Sequence, residues 1–294
     1  MTHAPIRQAV VNALTVDVED YFQVQALADT VPRAAWETMP RRVEENTERL
    51  LATFERAGVS ATFFTLGWIA ERHPTLIRRI VGGGHELASH GHGHERVDVL
   101  GPTAFRADIR RAREVLEDAG GVAVAGYRAP TFSLNGATPW AFAVLAEEGY
   151  RYSSSVYPVR HDLYGMPKAP RFPYQPDGGP LWEIPMTTLR VLGRNLPCSG
   201  GGWFRVLPYT AFRLALRRFH QTEAAPGVFY THPWEHDPGQ PRLAVRNARS
   251  RFRHYVNLSR THSRLDRLLR DFAWDRIDRA FAGVLEGRAG AVEV

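Results

Sequence analysis

The chain has 294 residues, 44% of them hydrophobic and 23% charged, a balance that supports a sizeable core and argues against disorder. No apolar run reaches the roughly 18–20 residues of a membrane span. Met1–Val10 lacks a signal-like hydrophobic segment, and the single cysteine, Cys198, excludes an internal disulfide framework or a Cys-rich zinc module, so the expected compartment is the cytoplasm. The net charge of +6 is carried almost wholly by arginines scattered among acids, with Lys168 the only lysine, which gives nucleic-acid binding little support.

Val11–Val18 is apolar and β-branched, the pattern of a buried strand. Arg42–Ala57 predicts an amphipathic helix with Gly58 as its C-cap. Val59–Leu66 predicts a second strand and Ile69–Val81 a short helix closed by three glycines. His85–Ser89 predicts a third strand, Pro102–Ala119 a helix, and Val122–Tyr127 a fourth strand. Thr138 and Pro139 suit the N-cap and first position of a helix running to Glu148. Tyr150–Val156, Leu181–Val191 and Val228–Thr231 are further strands, and Pro208–His220 is a helix. Tyr157–Pro180 is a long irregular insertion, Gly200–Gly202 a loop, and Ser259–Leu285 an amphipathic helix with a basic outer face that offers a peripheral membrane contact. Strands separated by single helices point to a parallel sheet, closed or partly closed as a barrel, with its chemistry at the strand ends.

Four polar clusters follow β-like runs. Asp17 and Glu19 share one face at the end of the first strand, with Asp20 beside them; two such carboxylates are costly to bury unless they meet a cation or share a proton. His90 and His94 have the spacing to share a metal, and His92 reads as a supporting or structural residue. Arg128 stands at a strand end, positioned to orient a carboxylate, and Pro130 stiffens a turn whose N–H groups near Thr131 suit an oxyanion. His232 follows the last apolar strand, where a general acid could sit. A carboxylate with two histidines makes an open metal site, and the remaining acid, arginine and histidine supply base, orienter and acid for metal-assisted hydrolysis of an amide or ester.

This order of motifs resembles the polysaccharide deacetylases with a NodB homology domain (carbohydrate esterase family 4). The segments VDVEDYF, ELASHGHGHE, YRAPTFS, EIP and HPWEHDPGQPR further resemble a subgroup found with bacterial exopolysaccharide and exosortase gene clusters. The resemblance implies a distorted (β/α) barrel, here residues 10–238, with a C-terminal helical extension, 239–294, packed on it. It implies a divalent metal, most often zinc, and removal of acetyl groups from an N-acetylated glycan. Asp17 matches the catalytic base, Arg128 the arginine that orients it, His232 the general acid, and His90 and His94 two metal ligands. Val18 stands where many members place the third ligand, which leaves Glu19 as the expected carboxylate and Asp20 as the alternative. Ser153 replaces an aspartate common in relatives, so the usual carboxylate partner there is missing. Tyr164, Trp203 and Trp234 are candidates for a sugar-stacking wall, against ordinary packing. The rivals are a small-molecule amidohydrolase on the same fold and a non-catalytic carbohydrate-binding protein.

Overall fold

The computed structural model describes residues 10–287. The stretch read for a signal and the last residues of the C-terminal extension therefore lie outside the described residues, except Val10. The first strand, β1 (Val11–Val18), is buried over all but its first residue, as expected for a parallel strand covered on both faces. After it come α1 (Val43–Ala57), β2 (Thr62–Thr65), α2 (Gly67–Arg72), α3 (Pro74–Gly82), β3 (Glu86–Ser89), α4 (Val97–Gly120), β4 (Gly126–Tyr127), α5 (Trp140–Glu147), β5 (Tyr152–Ser153) and β6 (Trp182–Glu183). A two-stranded hairpin, β7 (Thr188–Val191) and β8 (Arg194–Pro197), precedes α6 (Gly201–Val206), α7 (Tyr209–Glu223) and β9 (Val228–Thr231). The chain ends with α8 (Ala248–Tyr255), α9 (Leu258–Asp271), β10 (Ala273–Asp275), α10 (Ile277–Ala280) and α11 (Ala282–Leu285).

The sheet runs β10-β1-β2-β3-β4-β5-β6 with β9 on β1, all parallel. It curls into an incompletely closed barrel, as the alternation of strands and helices predicts. Ala13 pairs with both β10 and β9, and Thr15 with both β2 and β9. It follows that β9 takes one edge of β1, while β10 and β2 share the other in succession. Strands β6 and β9 do not pair. Their gap is crossed by Thr187, whose hydroxyl meets the Val228 carbonyl and amide, and by the Tyr230 amide donating to the Ser199 carbonyl.

Leu50, Leu51 and Phe54 of α1 are buried, and Gly58 takes the left-handed conformation (φ 65°) that ends the helix. Where a single helix over 69–81 was expected, the chain breaks at His73 (φ −131°), because Pro74 lacks the N–H an uninterrupted helix needs and is tolerated only as a first-turn residue. The expected strand 181–191 is likewise two: β6 stays in the sheet and β7 leaves through the gap. Gly200–Gly202, expected as a loop, instead leads into and begins α6. The expected long helix 259–285 stops at Asp271. Its buried leucines, Leu265, Leu268 and Leu269, dock α9 on the barrel, and Trp274 then lies in a strand that extends the sheet. Ile277 follows, its amide donating to Thr62 Oγ1, and closes the amino-terminal end of the strands. Among the described residues no helix is long and apolar enough to cross a membrane.

Candidate active site

Alternation along β1 puts Ala13, Thr15 and Asp17 on the inner face of the curl. Asp17 is buried, and its Oδ1 accepts from Arg128 Nη1 at 2.7 Å. The Arg128 side chain is wholly enclosed. Its Nη1 also donates to Thr15 Oγ1 (2.7 Å), Nε to the Ser154 carbonyl (2.9 Å) and Nη2 to Ser154 Oγ (3.0 Å), with the Phe64 ring 4.1 Å from the guanidinium carbon. Such a guanidinium is fixed in position and orientation.

Glu19, one turn of alternation beyond Asp17, is buried with Oε2 2.7 Å from His94 Nε2 and Oε1 accepting from Trp234 Nε1 at 3.2 Å. One donor atom each from Glu19, His90 and His94 lies within 4.8 Å of the others. His90 Nδ1 lies 2.9 Å from the Arg128 carbonyl oxygen, which makes Nδ1 the protonated nitrogen and leaves Nε2 as the lone-pair donor. Burial lowers the His90 imidazole to about 4 against the pull of Asp17 and Glu19, so it is neutral, as a ligand must be. Burial works against ionising Glu19, but the imidazoles of His94, His232 and His90 outweigh it and hold the carboxyl at about 2. Two imidazoles and one ionised carboxylate, buried together, form a donor set that fits a divalent cation such as zinc.

The loop that carries the histidines is shaped by Asp108 and Gly91. Asp108 of α4 accepts from the amides of His92 (2.9 Å) and Gly93 (3.2 Å). Gly91 has φ 76°, and a Cβ there would stand 2.8 Å from Asp108 Oδ2, so the position needs glycine twice over. His94 itself has φ 58°. His92 turns away to Glu71 (Nε2–Oε1 3.0 Å), consistent with a structural role.

His232 Nε2 lies 3.5 Å from Glu19 Oε1 and 3.8 Å from Asp17 Oδ2, and Nδ1 lies 3.3 Å from Glu235 Oε2. Burial alone would lower His232, but Glu235, with Glu19 and Asp17 behind it, raises the imidazole to about 9. Glu235 is in turn fixed by Arg205 Nε (2.8 Å), Thr231 Oγ1 (2.8 Å) and the His232 amide (3.0 Å). The missing carboxylate at Ser153 has a neighbour in its place: Ser153 pairs in register with Glu183 on β6. Glu183 Oε1 accepts from the Ser155 and Val156 amides (2.9 and 2.8 Å), holding the serine segment whose Ser155 Oγ accepts from the Ala129 amide.

Two expectations are corrected. Asp20 does not face the cluster. Its Oδ2 accepts from the amides of Arg42 (2.7 Å) and Val43 (3.0 Å) and its Oδ1 from that of Tyr21 (2.8 Å), so it is spent on the first amides of α1 and the turn before it. Trp234 is not a sugar platform. It is buried and stacked against both His232 (centroids 5.3 Å) and His254 (4.4 Å), with its indole N–H on Glu19. Trp203 is half-buried on α6. Tyr164 stacks with His161 (3.9 Å) and Tyr157 (5.7 Å). Pro130 and Thr131 form a 3-10 turn after Arg128, with Thr131 at φ 58° and Phe132 at 49°.

A family model described as polysaccharide deacetylase matches residues 29–153, and one described as a domain of unknown function (DUF3473) matches 154–282. Residues 29–153 are thus similar to polysaccharide deacetylase domains. The first matched segment carries His90, His94 and Arg128, and the second carries His232 and Glu235, so one centre is assembled across both; Asp17 and Glu19 precede them. The peptidoglycan-N-acetylglucosamine deacetylase of Bacillus cereus is 31% identical over 86 residues, 29% of this chain and 31% of that protein. The peptidoglycan deacetylase of Helicobacter pylori is 28% identical over 113 residues, 38% of each. The chain thus spans about a third of the length of these curated relatives. Among solved structures, a Mycobacterium smegmatis protein assigned to the polysaccharide deacetylases superposes with a TM-score of 0.62 at 22% identity, covering 100% of this chain and 98% of that one. An allantoinase superposes at 0.56 with 18% identity, covering 98% and 94%. Both show the same fold.

Proposed function

We propose that this protein is a metal-dependent hydrolase that removes N-acetyl groups from an N-acetylated amino-sugar polysaccharide or its precursor, in the assembly of an exopolysaccharide. The observation that carries this reading is the juxtaposition of the Glu19–His90–His94 donors with the Asp17–Arg128 pair and His232. Glu19, His90 and His94 would hold a divalent cation, most simply zinc, which would supply Lewis-acid polarisation of the acetyl carbonyl and acidify water.

The protein's own groups do the rest. Arg128 occupies Asp17 Oδ1 and leaves Oδ2 to take a proton from the attacking water. The water oxygen bonds to the acetyl carbon, and a backbone N–H of the turn at Thr131 would serve as the donor to the developing oxyanion. His232, oriented through Nδ1 by Glu235, donates from Nε2 to the sugar nitrogen as the C–N bond breaks, releasing acetate and the free amine. Glu235 and Arg205 hold that imidazole in place without touching the reacting atoms.

The test is acetate release by the zinc-loaded protein from N-acetylglucosamine oligomers, set beside a cyclic ureide. Release from the oligomers that depends on Asp17 supports the reading. Turnover of the ureide alone would move the assignment to a small-molecule amidohydrolase, and binding without turnover to a carbohydrate-binding protein.

A further inference from the structure

The β7–β8 hairpin leaves the barrel through the gap between β6 and β9 and turns at Leu192-Gly193. Both turn residues have positive φ, 48° and 77°, the type I′ geometry of a two-residue hairpin. Asn or Asp normally fills the first of these positions, because a side chain branching into an aliphatic body is strained there. Here it is leucine, and it is 98% exposed. Val191 and Leu196 beside it are 39% and 47% exposed. An aliphatic tip that is both conformationally disfavoured and left in water is unfavourable to the isolated protein on two counts.

Beneath the tip lies a cleft of about 930 Å³ between the hairpin and the segment 158–172. Arg160, Lys168, Arg190 and Arg194 line it, and no acidic residue does. All four are exposed, and among the described residues none of the four has an ion-pair partner. A fifth cation, Arg171, is engaged by Glu223 and the Thr188 carbonyl and braces the wall. Pro158, Pro170 and Phe172 also line it.

We propose that this hairpin is a contact for an anionic lipid surface, with Leu192 and its aliphatic neighbours entering the headgroup boundary and the four unpaired cations taking lipid phosphates. The combination of an apolar tip with a collar of unpaired positive charge matches such a surface in both respects. A soluble acidic glycan would account for the cations and leave Leu192 unexplained. The C-terminal helix is a poorer candidate, because α9 spends its leucines on the barrel. The inference is independent of the chemistry at the metal cluster.

The experiment is cosedimentation of the full chain with vesicles of phosphatidylcholine alone and of phosphatidylcholine with phosphatidylglycerol. Binding is expected only to the anionic vesicles and should weaken with salt. Leu192→Asn, which suits the turn and so preserves the melting temperature, should weaken binding about tenfold. Arg190→Gln with Arg194→Gln should weaken it by about tenfold or more. Leu192→Cys gives a second readout. The native Cys198 is buried and its thiol is pushed by burial up to about 12, so a polarity-sensitive dye labels position 192 alone. Its emission should rise on anionic vesicles. Equal binding to both vesicle types, or binding of Leu192→Asn at the parent level, would overturn the proposal. So would tight binding of polygalacturonate that the arginine changes abolish and Leu192→Asn does not, since that result would make the cleft a glycan site.

Discussion

His90 donates from Nδ1 to the carbonyl oxygen of Arg128 at 2.9 Å. The same arginine holds Asp17 with its guanidinium. One residue, placed by β4, thus fixes the tautomer of a candidate metal ligand through its backbone and the orientation of a candidate base through its side chain. The two halves of the centre are mechanically joined.

Removing the Arg128 charge should therefore do more than slow a reaction. Arg128→Gln leaves the Asp17 carboxylate buried without its cation, which costs about 3–5 kcal/mol of stability. Arg128→Lys keeps a charge but loses the planar fork to Ser154. It should stay folded by circular dichroism and bind metal, while acetate release falls by about a hundredfold or more.

Asp17→Asn is expected to keep the fold and the metal stoichiometry and to lose at least about a thousandfold in kcat, the scale of a lost general base. Metal content by elemental analysis and kcat measured on the same sample separate this from loss of the ion.

Asp20 offers a contrast. Its carboxylate serves the amides of Tyr21, Arg42 and Val43. Asp20→Ala should cost about 1–3 kcal/mol, read as a lower melting temperature, with one equivalent of metal still bound.

Trp234 donates to Glu19 and is enclosed by two imidazoles. Trp234→Phe keeps the stacking and removes that hydrogen bond. Metal affinity should weaken by about 10–100-fold, the usual cost of losing a group that steadies a ligand. KM for an oligosaccharide should hardly change, as it would not if this ring carried the sugar.

At the opposite end of the strands, His85 Nδ1 accepts from the Ala61 amide, and burial lowers the imidazole to about 4. Its ordinary value is near 6.5, so the unfolded chain binds a proton between those values that the native chain refuses. Stability from this residue is complete above about 6.5 and is lost as the pH falls towards 4, by up to about 3 kcal/mol. His85→Gln can still accept from Ala61. Its melting temperature relative to the parent should rise steadily as the pH is lowered through that window.

Strongly periodic segments were legible in the sequence. The continuous apolar run of β1, the spacing of Leu50, Leu51 and Phe54 on α1, and the apolar strand before His232 each fall where the pattern puts them. Short strands were not. Trp274 looks like the end of the Leu265–Leu269 stripe, and only pairing with β1, some 260 residues away in sequence, makes its segment a strand. The histidines, Asp17 and Arg128 could be singled out because their local spacing is chemical. Asp108, Glu183 and Arg205 could not, because what they do depends on partners distant in the chain. Asp108 looks like one more helix acid and Glu183 like a strand polar residue. One signal for Asp108 was present: it lies between Phe105 and Ile109 on the buried face of α4, where an unpaired acid would be costly.

The most direct measurement is calorimetric titration of the metal-free protein with zinc, carried out in parallel on the parent, His90→Ala and Glu19→Gln. The account predicts one ion per chain for the parent and at least a hundredfold weaker binding for both variants. Absence of binding to the folded parent, or undiminished binding to the two variants, would contradict it.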